Sequence, residues 1–221
     1  MQTQKLIYSD NKINFRSDCS RIFYIFAVVM ARNVEFDEQL AVSKAMDVFW
    51  KKGYNGASTR DLTEAMGISN SSLYNTIGDK HQLFIKAIKL YTESRMDAAR
   101  KMLQPIKSPL KAIEKFINSS VYAITNEPNS CLTIKTTFEV ATSDESVQQI
   151  IKADNDFTYN LLIDLIKKAI ERNEITVSND AEMLTDYIIN QFTGWHESFI
   201  IHRDKMRIKK MAEFLIKQIS Q

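Results

Sequence analysis

From Asp37 to Lys52 the apolar residues Leu40, Ala41, Ala45, Val48 and Phe49 recur three and four positions apart, which predicts a helix with one buried face. Gly53 then stands where a left-handed residue would close that helix. Ser58, with Asp61 three residues on, predicts a capped second helix through Leu62, Ala65 and Met66 to Gly67. Ser69 caps a short helix to about Thr76, in which Leu73 must point inward while Asn70, Ser71 and Asn75 stay free. Asp79 and Gln82 open a long helix with the stripe Leu83, Phe84, Ala87, Ile88 and Tyr91, running to about Leu103.

Beyond it, Ser108-Pro109 predicts a cap and a proline in the first turn of a helix to about Thr125, followed by a loop over 126–129. A shorter helix is expected over Leu132 to Ala141, weakened by Thr133, Thr136 and Thr137. Ser146 to Arg172 carries Ile150, Phe157, Leu161, Leu165 and Ile166. Asn179, with Glu182 at its third position, opens a helix bearing Leu184, Ile188, Phe192, Trp195 and Phe199. A last helix, Lys205 to Ile219, bears Ile208, Met211, Leu215 and Ile219, with Phe214 beside them. The expected fold is all-α: a three-helix head at the N-terminal side, a linking fourth helix and a helical body, nine helices in all.

Composition narrows this picture without changing it. Five glycines and three prolines in 221 residues suit long helices joined by short turns. Two cysteines, Cys19 and Cys131, are too few for a disulfide framework or a cysteine-built metal site, and they suit a reducing, cytoplasmic setting. The net charge of +2 is unevenly spread: residues 1–103 hold 15 Lys/Arg against 11 Asp/Glu, and residues 104–221 hold 14 against 16. The positive half is the one with the short helices, as a nucleic-acid-binding head requires. Upstream, Ile22 to Ala31 is apolar for only ten residues, too short to cross a membrane as a helix. With Arg16 and Arg21 before it, the segment loosely resembles a signal peptide. Met30 is a plausible true start, so residues 1–35 are read as an extension whose first 29 residues are dispensable, an accessory helix or a targeting segment being the other readings.

The chemistry lies between Ser58 and Lys80. Two short helices meet across Met66-Gly67-Ile68-Ser69, where glycine permits a sharp turn and serine caps the second helix. That pattern suits a helix-turn-helix, whose second helix enters the major groove of DNA, although any helical hairpin can carry a glycine at its turn and a serine at its cap. Asn70, Ser71, Ser72 and Asn75 give it a free face of short hydrogen-bonding side chains.

The run Phe49-x-x-x-Gly53, Ala57-Ser58-Thr59-x-x-Leu62, Ala65-x-Gly67-Ile68-Ser69, Ser72-Leu73-Tyr74 and Lys80-x-x-Leu83 closely resembles the N-terminal domain of the TetR/AcrR family of transcription regulators, over about residues 36–93. The resemblance implies a helix-turn-helix domain over 36–82 and a dimerising, often ligand-holding helical domain over 83–221. By position it implies that Ser58, Thr59 and Arg60 start a helix that touches phosphate. Tyr74 is implied to meet the DNA backbone, Lys80 matches the lysine opening the fourth helix, and Thr76 completes the expected contacts. Ser71, Thr76 and Ile77 depart from the family's usual residues, which leaves the phosphate contacts less fixed. Cys131-Leu132 with Glu139 loosely resembles a segment of some branches.

The expected partners are a second copy of the chain, a palindromic double-stranded operator and a small apolar effector, with no cofactor. The apolar rows of residues 181–199 and 206–219 exceed what one face of each helix needs, which suits a four-helix interface between two copies. Tyr122, Phe138, Phe157, Phe192, Trp195 and Phe199 are the expected lining of a ligand cavity, with Thr137, Glu139 or His196 as polar points. The same aromatics also suit a plain core. A body that binds a protein partner and no small ligand stays open as an alternative. No glycine-rich phosphate cradle, nucleophile elbow or HExxH run suggests catalysis, and His81, His196 and His202 lack zinc spacing.

Overall fold

Every described element of the computed structural model is helical, and the described residues are 37–127, 129, 131–175 and 180–220. The expectations for residues 1–35 and for Asn179 fall outside them. The first helix, α1 (Glu38–Gly56), buries Ala41, Val42, Ala45 and Phe49. Leu40, expected inside, is 54% exposed while Val42 is buried, so the inward face is turned by about one position at the start of the helix. The next helices are α2 (Thr59–Met66), α3 (Asn70–Thr76) and α4 (Lys80–Leu103). Their caps follow the sequence. Ser58 and Asp61 form a capping box, Ser69 accepts from the Ser72 amide, and Asp79 forms a second box with Gln82. Gly67 closes α2 in the left-handed conformation (φ 71°), where a side chain would be strained.

Phe49, Leu62, Leu73, Leu83 and Phe84 fill the head, each at most 1% exposed. Phe49 and Phe84 meet edge to face with ring centres 4.9 Å apart. All five stripe residues expected on α4 are buried, and that helix continues out of the head to pack on the body.

The body comprises α5 (Pro109–Asn126), α6 (Leu132–Thr136), α7 (Glu145–Glu171), α8 (Ala181–His202) and α9 (Lys205–Ile219). Its core joins Ile113, Ile117, Leu162, Ile166, Ile188, Trp195, Ile208 and Leu215. Two features differ from expectation. The helix expected over Leu132–Ala141 is α-helical only to Thr136 and widens into π turns over Thr137–Ala141. The Thr137 hydroxyl donates to the Thr133 carbonyl at 2.8 Å, and such a bond competes with the regular helix ladder. Helix α7, expected from Ser146, begins at Glu145, capped by Asp144, to whose carboxylate the Ser146 hydroxyl donates at 2.6 Å. Helix α8 opens on Asp180, whose side chain accepts from the Glu182 amide at 2.9 Å. Among the described residues no helix is long and apolar enough to cross a membrane.

Candidate functional site

The DNA-facing candidates all lie on α2, α3 and the start of α4. Ser58, Arg60, Asn70, Ser71, Ser72, Tyr74, Asn75 and Thr76 are exposed, and Thr59 and Lys80 are half-buried. They stay outward because α3 has a single inward anchor, Leu73, and is only seven residues long. Its remaining side chains have no interior to enter. Tyr74 is 56% exposed, which argues against a packing role. The Ser72 hydroxyl lies 3.0 Å from that of Ser69, so it serves the cap as well as any outer contact.

Two cations hold partners that DNA phosphate can replace. Arg60 pairs with Glu64 at 2.7 Å, and both side chains are largely exposed, so the pair contributes little. The Lys80 ammonium sits 4.5 Å above the Tyr54 ring centre. Lys52, which the sequence pattern did not single out, bridges α1 to α2 through Asp61 at 2.6 Å. Its hydrogen bond and those from Ser58 hold the Asp61 carboxyl well below the usual carboxylate range.

The body holds a second candidate site, a partly open cavity of about 1090 Å³ between α1, α4, α5, α6, α7 and α8. Of the six aromatics expected to line it, Phe192 does so. Tyr122 and Phe138 are 69% and 70% exposed on the outer surface, since helical spacing alone does not fix which face turns inward. Trp195 is buried in the body core, with Phe199 packed against that core. Phe157 stacks under the Arg100 guanidinium, 4.7 Å from the ring centre. Thr137 and His196 line the cavity, whereas Glu139 turns to the head.

Several lining residues were not legible beforehand, among them Trp50, Tyr91, Phe116, Arg95, Asp154 and Cys131. Arg95 donates through one nitrogen to Asp154 at 3.2 Å and to Thr133 at 3.0 Å. Asp154 is 7% exposed, and burial pushes its carboxyl up while Arg95 opposes the shift. The tryptophan on the cavity is therefore Trp50, and Trp195 is a core residue.

Burial, aided by Arg95, pushes the His196 imidazole down to about 4 from 6.5. Between those two values the unfolded chain binds a proton that the folded chain refuses, so stability falls as pH drops from about 6.5 to about 4. The full effect is about 3 kcal/mol. Replacing His196 by glutamine should flatten the stability-pH curve across that window, as read by denaturant titrations at pH 7, 6 and 5. An unchanged slope would show that His196 titrates normally in the folded chain.

The same segments are the ones that known proteins share. The family model described as bacterial regulatory proteins, tetR family, matches residues 41–87, from the first turn of α1 into α4. The uncharacterized HTH-type transcriptional regulator YezE of Bacillus subtilis is 39% identical over 95 residues, covering 43% of this chain and 49% of that protein. The HTH-type transcriptional repressor ComR of Escherichia coli is 24% identical over 159 residues, or 69% of this chain and 74% of that protein. A solved structure of the TetR family regulator CifR, a cysteine mutant complexed with 26-base-pair operator DNA, superposes with a TM-score of 0.73 at 26% identity. That match covers 84% of this chain and 98% of CifR. Head, linking helix and body thus recur together in CifR, and residues 41–87 of this chain carry the DNA-binding segment described by the tetR family model.

Proposed function

We propose that the protein is a homodimeric repressor that binds a palindromic DNA operator through α2 and α3 and leaves it when a small, mainly apolar molecule enters the body. The observation that carries the DNA reading is the exposed polar face of α3 beside the capped turn at Gly67, on a head similar to that of CifR, which was solved with operator DNA. Ser58, Thr59, Arg60, Tyr74, Thr76 and Lys80 are assigned to phosphate and sugar; Asn70, Ser71, Ser72 and Asn75 are assigned to base edges. One short helix reads few base pairs, and two copies match the two halves of a palindrome.

Dimerisation is assigned to the outer face of α8 and α9. Met183, Tyr187, Ile201, Met206 and Phe214 are each 48–67% exposed there. Along α8, Tyr187, Gln191, Gly194, Ser198 and Ile201 succeed one another four and three positions apart, one stripe of a helix. A side chain on Gly194 would meet nothing within 4 Å, which leaves room for the close approach of a second helix. Among the described residues the buried Ser198 hydroxyl has no hydrogen-bond partner.

The cavity supports the ligand reading over one in which the body only docks a protein partner. Its volume suits a lipophilic molecule, and Trp50, Tyr91, Phe116 and Phe192 give it apolar walls with Arg95, Thr137 and His196 as polar points. A screen of lipophilic compounds for operator release, with tryptophan emission followed in the same titration, tests it. An effector should change the emission of Trp50, and replacing Trp50 by phenylalanine should remove most of that change. If no compound both fills the cavity and weakens operator binding, the ligand reading fails and the dimeric DNA-binder remains.

A further inference from the structure

We propose that Glu139 is the residue through which an occupied cavity acts on the DNA-binding head, an inference that rests on the ligand-release reading. The segment Cys131–Thr142 faces two ways. Cys131, Thr133, Ile134, Thr137, Ala141 and Thr142 line the cavity. On the side toward the head, the Lys135 ammonium donates to the Trp50 carbonyl at 2.8 Å. The Glu139 carboxylate accepts from two head amides, Tyr54 at 3.1 Å and Asn55 at 2.7 Å.

Those amides need a partner because of Gly53. Its backbone (φ 75°, ψ 174°) lies in a region nearly restricted to glycine and interrupts α1. The residues after it begin a new turn, whose first N–H groups have no carbonyl four residues back to receive them. Glu139 supplies the acceptor from the body, 85 residues away in sequence for Tyr54. The fit is close, since a Cβ on Gly53 would lie 2.6 Å from a Glu139 carboxylate oxygen. Only Ala57 and the cap Ser58 separate this turn from α2.

Glu139 also sits in the π turns of Thr137–Ala141. Such turns differ from α-helix by one residue of hydrogen-bond register, so pressure on Thr137 or Ala141 from the cavity rotates the segment that carries the carboxylate. Rotation withdraws both bonds from Tyr54 and Asn55. The approach to α2 is then freed relative to the body, and the spacing of the two recognition helices in a dimer changes.

The test uses the full chain with Cys19→Ser, so that Cys131 can be converted to a mixed disulfide by benzyl methanethiosulfonate, which places a benzylthio group in the cavity. Binding to a duplex selected from a random pool is compared with and without the label, and amide exchange at Tyr54 and Asn55 is followed. With Glu139 intact, labelling should weaken operator binding at least about tenfold and speed exchange at both amides. With Glu139→Ala, labelled and unlabelled protein should bind within about twofold of each other, and Gly53→Ala, which displaces the carboxylate from the head side, should do the same. Glu139→Gln keeps one acceptor and should fall between, which separates loss of the latch from loss of the fold. If Glu139→Ala keeps the full label dependence, the latch is wrong and ligand release stands. If the label leaves the parent chain's operator binding unchanged, ligand release is wrong and the latch falls with it.

Discussion

Replacing Phe214 by glutamate should convert a dimer to a monomer and weaken operator binding by at least about a hundredfold, since a monomer holds one half-site where a dimer holds two. Phe214 is 62% exposed on α9, beside Met206 and across from Tyr187 on α8. In a two-fold interface each substitution occurs twice, so two carboxylates replace two apolar rings packed beside Tyr187, Met206 and Met211, and Arg207 and Lys210 at the edge of the groove offset only part of that cost. Breaking a buried arrangement in this way costs several kcal/mol per charge, on the order of 3–5. The fold of the single chain should be unharmed because the side chain points outward. Sedimentation of the parent and the variant, with a melting curve for each, separates the two effects. A variant that remains dimeric would move the interface away from α9, and Gly194→Leu would then ask the same of α8.

The second large effect is expected at Leu73. It is fully buried and is the one inward residue of α3, held otherwise by the Ser69 cap and the backbone bonds of its own two turns. A seven-residue helix is not stable by itself in water. Leu73→Ala removes the anchor and leaves a cavity, a loss of about 2–5 kcal/mol. The damage should be concentrated where the helix contributes least to the rest of the fold. Operator binding should fall more than about tenfold, while the body, whose core shares no residue with α3, keeps its melting transition. Circular dichroism melts beside operator titrations check this. Equal loss of body and head stability would show that the chain unfolds as one unit.

The reach of the sequence differed sharply between the two ends of the chain. In the head, local signals agree with one another: a serine three residues before an acidic or polar partner, a glycine at each turn, one leucine per short helix. Each acts over a few residues, so Ser58, Gly67, Ser69, Leu73 and Asp79 could be placed without knowing what packs where. The cavity has no such local grammar. Trp50 belongs to a head helix yet faces the body, and Arg95, Cys131 and Asp154 meet only because α4, α6 and α7 converge. One signal was present and unused: Asp154 occupies an apolar register four residues after Ile150, which marks a buried charge in need of a partner. Tyr122 and Phe138 failed for the opposite reason. Their size suggested an interior place, but aromatic side chains on amphipathic helices are free to stand outside when the core is already filled by isoleucine and leucine. Glu139 could be noticed as a residue of interest, but its partners are backbone amides, which sequence does not display.

The central claim, that α2 and α3 read DNA, is tested most directly by selecting a duplex from a random pool and titrating it, and a scrambled duplex, with the parent chain, Lys80→Ala and Asn75→Ala at two salt concentrations. The selected site should be palindromic, and binding should weaken with salt as phosphate contacts release counterions. Lys80→Ala should weaken binding to both duplexes by similar factors, as a backbone contact would. Asn75→Ala should cost about 1–3 kcal/mol on the selected duplex and little on the scrambled one. Selection that yields no preferred sequence, with both variants binding like the parent, would contradict the account.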